Sequence, residues 1–261
     1  DAIAALSGGV EVTAGTFTLT AAQASGQSIT GAGTVSISDP VTVAQANSLD
    51  GTIAATLSLS SISDTAANLS GSSDAVLGLA TTVTASTNAT AAQATTLGGF
   101  TTAVTYSISD TATAVAGAGA TALNEAVNIT ATGTATVAQA TTIDAATNGG
   151  SNTYSLNDTA SNLAAASGSV LSGASAISTS GTTAAAADLN TIDTASTVAL
   201  NAASVTTLTG LAADVIIAFS AGTAGTITGL GDEAVTLSGS TSVTDANSVD
   251  GSTSGVITAT I

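Results

Sequence analysis

Short stretches in which apolar and polar residues alternate recur along the chain and predict β-strands. Residues 34–37 (TVSI) and 104–108 (VTYSI) have the period of two and the β-branched side chains that are typical of strands. Most of the strand openings are 21 to 25 residues apart. They lie near Val12, Val35, Leu57, Val83, Val104, Ile129, Tyr154, Ile177, Val198 and Ile227.

Alanine-rich stretches follow the strands and predict short helices. Two phrases alternate in these stretches. One is VAQA or AAQA, centred on Gln23, Gln45, Gln93 and Gln139, and the other is SISDTA or a variant of it, which contains Asp64, Asp110 and Asp158. An Asp before Thr-Ala is expected to accept hydrogen bonds from the free N–H groups of the helix that follows it.

The repeat of strand and helix predicts the fold class. One such unit, here called a coil, cannot bury its apolar face alone and must stack on its neighbours. We therefore expect residues 1–261 to form one continuous solenoid of about ten coils, each about 23 residues long. The strands would form one parallel β-sheet with right-handed crossovers. An all-β solenoid is the alternative, favoured by the high Thr and Ser content.

The ends of the chain carry a further expectation. The sequence contains no Met, and neither end has the polar, atypical coil that caps a finished solenoid. We expect the chain to be part of a longer protein or of an open-ended assembly.

The charge of the chain excludes several classes of partner. There are 17 acidic residues and no Lys, Arg or His, so the formal net charge is −17 and no side-chain salt bridge can form. Nucleic-acid binding is not expected, because it depends on Lys and Arg. Membrane insertion is not expected either, because no apolar run approaches the roughly 20 residues of a spanning helix. Divalent cations, Ca²⁺ above all, would relieve the repulsion between carboxylates.

The composition also argues against an enzyme. Without His, Cys, Lys or Arg the chain lacks the usual general bases, nucleophiles and anion-stabilising groups. A pair of carboxylates of the glycosidase kind is conceivable, and Asp232 and Glu233 are adjacent acids. Regular repeats rarely contain a unique active site, and we expect no catalytic activity.

Two sets of recurring carboxylates are candidate Ca²⁺ ligands. The first set comprises Asp39, Asp64, Asp110 and Asp158, for which helix capping is the alternative role. The second set follows the VAQA phrase, where a turn is the alternative to a metal site, and comprises Asp50, Asp144, Asp193 and Asp250.

Glutamine and tyrosine recur at equivalent places too. The four Gln residues of the VAQA phrase either stack as a ladder of amides or lie on an exposed helix face. Tyr106 and Tyr154 occupy the same place in two copies of the second phrase. We interpret them as packing residues, with ligand binding as the alternative.

The strings YSISDTATAV, YSLNDTASNLAAASG and TVAQATTIDAATNGG resemble repeats of giant secreted cell-surface proteins of marine unicellular cyanobacteria and related Gram-negative bacteria. The resemblance covers nearly the whole chain. It implies an extracellular, calcium-rich setting and a role in surface layers, adhesion, filaments or cell-surface motility. The calcium-binding nonapeptide GGxGxDxΦx (Φ aliphatic) of related secreted proteins is not present, and Gly229–Asp232 is only a partial match.

These observations predict a structural repeat segment of an extracellular cell-surface protein, such as a filament, surface layer or adhesin. It would self-associate into a filament or lattice through stacked coils, with divalent cations between carboxylates and surface polysaccharide as a further partner. The alternative is a solenoid that binds ice or carbohydrate through Thr-rich strands such as Thr16–Thr18 and Thr81–Thr84. A regular ladder of Thr residues on an exposed face would favour that alternative.

Overall fold

The chain has a mixed α/β fold with parallel sheets. A computed structural model describes residues 9–260, and these contain thirteen helices and seventeen strands. The helices exclude the all-β alternative. The alternation of strands and helices along the chain agrees with the expected repeat.

The strands are short, and most are followed by a helix. They are β1 Val10–Glu11, β2 Thr16–Leu19, β3 Ile29–Thr30, β4 Thr34–Ile37, β5 Thr56–Asp64, β6 Ala80–Ala85, β7 Val104–Thr105, β8 Ile108–Thr111, β9 Ile129–Ala135, β10 Asn152–Thr159, β11 Ile177–Ser180, β12 Thr183–Ala185, β13 Leu200–Asn201, β14 Thr207–Gly210, β15 Ile227–Thr228, β16 Ala234–Ser240 and β17 Ile257–Thr260.

The helices are one to four turns long. They are α1 Ala21–Ala24, α2 Val43–Thr52, α3 Ala66–Ser70, α4 Asp74–Leu77, α5 Ala91–Leu97, α6 Ala112–Ala116, α7 Ala120–Glu125, α8 Val137–Asp144, α9 Ala160–Ala164, α10 Gly168–Gly173, α11 Ala186–Ala195, α12 Ala212–Ala224 and α13 Val243–Asp250. In α5 the buried residues are Ala91, Ala94 and Leu97. This spacing of three places them on one face of the helix.

The chain divides into two compact units. The first contains the described residues up to Asp110 together with Gly117–Ile129 and Thr147–Ser151. The second contains Thr111–Ala116, Thr130–Ala146 and the described residues from Asn152 onward.

In the first unit, parallel strands bring equivalent residues of successive coils side by side. The sheets have the strand orders β1-β3 and β2-β4-β5-β6-β7. Leu19 pairs with Ile37, which pairs with Leu59, and all three side chains are buried. Burial of each such side chain contributes about 1.5 to 3 kcal/mol. An apolar ladder that crosses the coils therefore forms the core of this sheet.

The second unit repeats this arrangement. One sheet has the order β12-β14-β16-β17, and another contains the run β15-β13-β11-β10. Its core ladder consists of Leu156, Ile177, Leu200 and Ile227, which are paired in register and buried.

The prediction of a single parallel β-sheet is wrong, because the strands are distributed over several sheets. Two strands of one coil can belong to different sheets, as β13 and β14 do. The residues between them, 202–206, turn the chain and so separate the two strands. In residues 9–260 no helix has the length and apolar character needed to span a membrane.

Candidate functional site

The carboxylates of the first set form hydrogen bonds with the N-termini of helices. Each Asp accepts a hydrogen bond from the first backbone N–H of a helix that lies 18 to 21 residues earlier in the chain. The pairs are Ala21 to Asp39 at 2.7 Å and, at 3.0 Å each, Val43 to Asp64, Ala91 to Asp110 and Val137 to Asp158. These N–H groups have no partner within their own helix. Each carboxylate therefore joins its coil to the preceding one.

Asp64 does not cap the helix that follows it, which corrects the sequence-based expectation. The N-cap of α3 is Thr65, whose hydroxyl accepts from the N–H of Asn68. Asp64 instead accepts from the Thr65 N–H and the Asn68 side-chain amide, both at 2.8 Å, in addition to Val43. Asp158 has the same set of partners, namely Thr159, Asn162 and Val137.

These bonds determine the charge state of both carboxylates. Partial burial by itself would raise the pKa of Asp64, but the hydrogen bonds from Asn68, Thr65 and Val43 outweigh it and hold the pKa below its usual value. The pKa of Asp158 is lowered by the same balance of effects. Both side chains are therefore anionic at neutral pH.

The glutamines of the VAQA phrase close capping boxes. In α2 the Thr42 hydroxyl accepts from the Gln45 N–H, and the Gln45 side-chain oxygen accepts from the Thr42 N–H at 2.9 Å. The same box occurs in α1, α5 and α8 at Gln23, Gln93 and Gln139. The boxes give the glutamines a defined role that neither an amide ladder nor an exposed helix face includes. The signal was present in the sequence, because T-x-x-Q before an Ala-rich run is a capping-box pattern.

The second set of carboxylates lies within the last three residues of helices, so the turn that was the alternative to a metal site is wrong. Asp50 is in α2, Asp144 in α8, Asp193 in α11 and Asp250 in α13. A helix ends in free carbonyl groups that carry partial negative charge, so a carboxylate there is unfavourable unless a cation is near. Asp193 also lines a surface pocket of about 210 Å³ with Ser196, Thr197 and Gly225. Among residues 9–260, no three acidic side chains form a group able to hold a metal ion.

The two tyrosines pack inside their units. Tyr106 and Tyr154 are buried, and their hydroxyls donate to the carbonyls of Ala122 at 2.9 Å and Val170 at 3.1 Å. Burial, together with a nearby carboxylate, raises the pKa of each hydroxyl to about 12. The carboxylate is Glu125 for Tyr106 and Asp144 for Tyr154. Packing is therefore their structural role.

Asp74 holds a loop of the next coil. Its carboxylate accepts from the backbone N–H groups of Thr101 and Thr102, each at 2.9 Å, and from the Thr101 hydroxyl. The hydroxyl bond is the largest of the effects that hold the pKa of Asp74 far below its usual value. No sequence pattern indicates this role of Asp74, because its partners lie 27 and 28 positions away.

Hydroxyl side chains form ladders on the outer side of the first unit's five-stranded sheet. Thr16 pairs with Thr34 and Thr34 with Thr56, while Thr18, Ser36 and Ser58 form a second row in register. These six residues, here called the hydroxyl face, are exposed or half-buried, and they alternate with the core residues of the same strands. Neighbouring rungs are about 4.8 Å apart and the two rows about 6.6 Å apart. Further along, Ser63, Thr84 and Thr105 form another row.

Asp232 and Glu233 do not face each other across a cleft. Asp232 is exposed, whereas Glu233 is buried and its Oε2 accepts from the Gly231 N–H at 2.8 Å.

Comparisons of the chain with protein-family models, with curated proteins and with solved structures found no match.

Proposed function

We propose that the chain is a structural repeat segment of an extracellular cell-surface protein, in which coils stack as a right-handed solenoid. The observation that carries the proposal is the bond from each SISD-type carboxylate to the helix start of the preceding coil. Each coil thus completes its neighbour both in its core and at its helix ends. A chain built in this way gains length by adding coils.

The register of the strands allows a direct test of stacking. Thr34 pairs with Thr56, so residues 34–55 are one complete period of 22 residues. Ten extra copies inserted after residue 55 should lengthen the particle by roughly 48 Å, at about 4.8 Å per strand. Small-angle X-ray scattering measures this increase. A control insert of the same composition in scrambled order should give no folded extension. A compact particle with the native repeats inserted would refute the solenoid.

Assembly and location need tests of their own. The charge of −17 without any basic residue supports a role for Ca²⁺ between carboxylates of neighbouring chains. In sedimentation velocity we expect larger species in millimolar Ca²⁺, their dispersal by EGTA, and a weaker effect of Na⁺ at equal ionic strength. Immunogold labelling of intact producing cells should place the protein at the surface. A monomer under all of these conditions, or label confined to the cell interior, would contradict the proposal.

The hydroxyl face favours a second candidate function, the binding of ice or of surface polysaccharide. Its six residues form a regular array of uncharged donors and acceptors. Such an array suits an ordered, hydroxylated surface better than a small molecule.

Paired variants test this candidate. Replacing Thr16, Thr34 and Thr56 with Val keeps the shape and removes one row of hydroxyls, and it should abolish inhibition of ice recrystallisation or retention on polysaccharide. Thr96→Val together with Thr142→Val, both on exposed helix positions, is the matched control and should change neither. Equal activity of the two variants, or no activity in the parent chain, would reject this function.

A further inference from the structure

Glu233 is a buried carboxylate with an unsatisfied oxygen. It lies directly before β16 and is 0% exposed, and no other acidic residue of the described chain is buried. Its Oε2 accepts from the Gly231 N–H, whereas Oε1 is buried and has no hydrogen-bond partner. One oxygen of this carboxylate therefore faces the interior without compensation.

No side chain of this protein can neutralise Glu233. The sequence contains no Lys, Arg or His, so an ion pair within the chain is impossible. Burial of a carboxylate without a counter-charge is strongly unfavourable. A bound cation would remove that cost.

Two loops meet at the backbone of Glu233. Gly231 has a φ of 140°, a conformation that suits glycine, and its carbonyl accepts from the Ser254 N–H at 2.9 Å. The Thr253 hydroxyl donates to the Glu233 carbonyl at 2.8 Å. These bonds hold the loops 229–233 and 253–255 together at the backbone of Glu233, whereas the Asp232 side chain is exposed.

We propose that Glu233 anchors a site for a hard cation, with Ca²⁺ as the preferred ion, where these two loops meet. Carboxylate, carbonyl, hydroxyl and water oxygens are the ligands that such ions take. The Gly231 N–H occupies Oε2, so Oε1 is the oxygen left to contact a cation. The site has one buried carboxylate instead of a group of acids, so it differs from the two sets of carboxylates predicted from the sequence.

A cation at this site would stabilise β17, the last strand that the structure describes. Residues 253–255 are separated by one residue from the start of β17, which pairs with β16. A cation bound to Glu233 therefore ties the coil that contains β17 to the preceding one. This inference does not depend on the proposed location of the protein at a cell surface.

Hydrogen exchange of the full chain tests the site. At constant pH and ionic strength, Ca²⁺ should slow exchange of the amides of residues 253–260 at least tenfold relative to EGTA. Glu233→Gln keeps the shape of the side chain and removes its charge, and it should abolish the difference. Asp232→Asn removes the same charge from the exposed neighbour, is the matched control, and should retain most of the effect.

The alternatives give different results. Equal responses of the parent chain and Glu233→Gln to Ca²⁺ would overturn the proposal. If Glu233 carried a proton in place of a cation, protection of residues 253–260 from hydrogen exchange would rise on acidification and would not change with Ca²⁺, Mg²⁺ or Na⁺. That result would also overturn the proposal. If Glu233→Gln does not fold, titration of the parent chain decides. Terbium should then bind at a site from which Ca²⁺ displaces it and protect residues 253–260, and the lack of either effect would reject the site.

Discussion

The carboxylate of Asp64 lies 3.0 Å from the backbone nitrogen of Val43 and accepts its N–H. Val43 is the first residue of α2, and Asp64 is the last residue of β5 in the following coil. Because a parallel sheet aligns the ends of successive strands, the same Asp position reaches the same helix position wherever the phrase recurs. This is a contact between coils, and it makes the start of one helix depend on the presence of the next coil.

Removal of this contact should destabilise the protein. Asp64→Ala deletes the bonds to Val43, Thr65 and Asn68, and we expect a loss of about 2 kcal/mol in the free energy of unfolding. Urea denaturation measures the loss. Asp50→Ala removes an exposed acid and is the control, with an expected change below about 0.5 kcal/mol. Equal effects of the two substitutions would contradict the structural role of Asp64.

Three carboxylates with lowered pKa values should contribute less to stability in acid. The folded state lowers the pKa of Asp64, Asp74 and Asp158 below the usual value of 3.8, so their contribution is complete above that value and is lost as the pH falls through the lower folded values. Protonation of the other acids relieves repulsion and acts in the opposite direction. The difference in the free energy of unfolding between the parent chain and a triple Asp→Asn variant isolates the contribution of these three carboxylates.

That difference should be constant from about pH 7 to pH 5 and should shrink below about pH 4. Urea denaturation at a series of pH values gives it directly. A difference that grows on acidification would mean that the three pKa values are raised in the folded state, against the expected sign.

The sequence predicted the order of strands and helices but not the contacts between coils. Periodicity located β4, β9 and β10, because alternation and Ala-rich runs are local signals. It assigned Asp64 to the wrong helix, because the alternative partner Val43 is near only after the strands pair. The capping box of Gln45 was readable from T-x-x-Q and was overlooked.

Burial of a single polar residue was beyond sequence analysis. Glu233 looked like one member of an acidic pair, and its burial results from the meeting of two loops about 20 residues apart. The position of Asp144 at a helix end depends on where α8 stops, which is a boundary that sequence patterns locate poorly.

The buried tyrosines predict a loss of stability in alkali. The pKa of Tyr106 and Tyr154 is raised to about 12 from an ordinary value of 10.0, so their contribution is complete below pH 10 and is lost as the pH rises toward 12. Spectroscopic titration of tyrosinate should show both hydroxyls ionising together with unfolding. Titration of either tyrosine near pH 10 in the folded protein would contradict its burial.

Phenylalanine variants separate the hydroxyl from the ring. Tyr154→Phe keeps the packing but leaves the Val170 carbonyl without its donor, which should cost about 1 kcal/mol at pH 7. The double variant with Tyr106→Phe should also be less sensitive to pH between 10 and 12. Thermal denaturation at several pH values measures both effects, and an unchanged alkaline slope would show that other groups cause the unfolding.

Adjacent glycines provide the sharpest test of the packing between neighbouring segments. A Cβ at Gly150 would overlap the carbonyl oxygen of Val127 and the side-chain oxygen of Asn128. The two segments lie this close because the Ser151 N–H donates to the Asn128 side chain at 3.0 Å. Gly150→Ala should therefore cost about 2 to 3 kcal/mol. At Gly149 a Cβ meets no atom within 4 Å, so Gly149→Ala should be neutral or stabilising by up to about 1 kcal/mol. Chemical denaturation of both variants gives the comparison, and similar stabilities would mean that the two segments do not approach as closely as described.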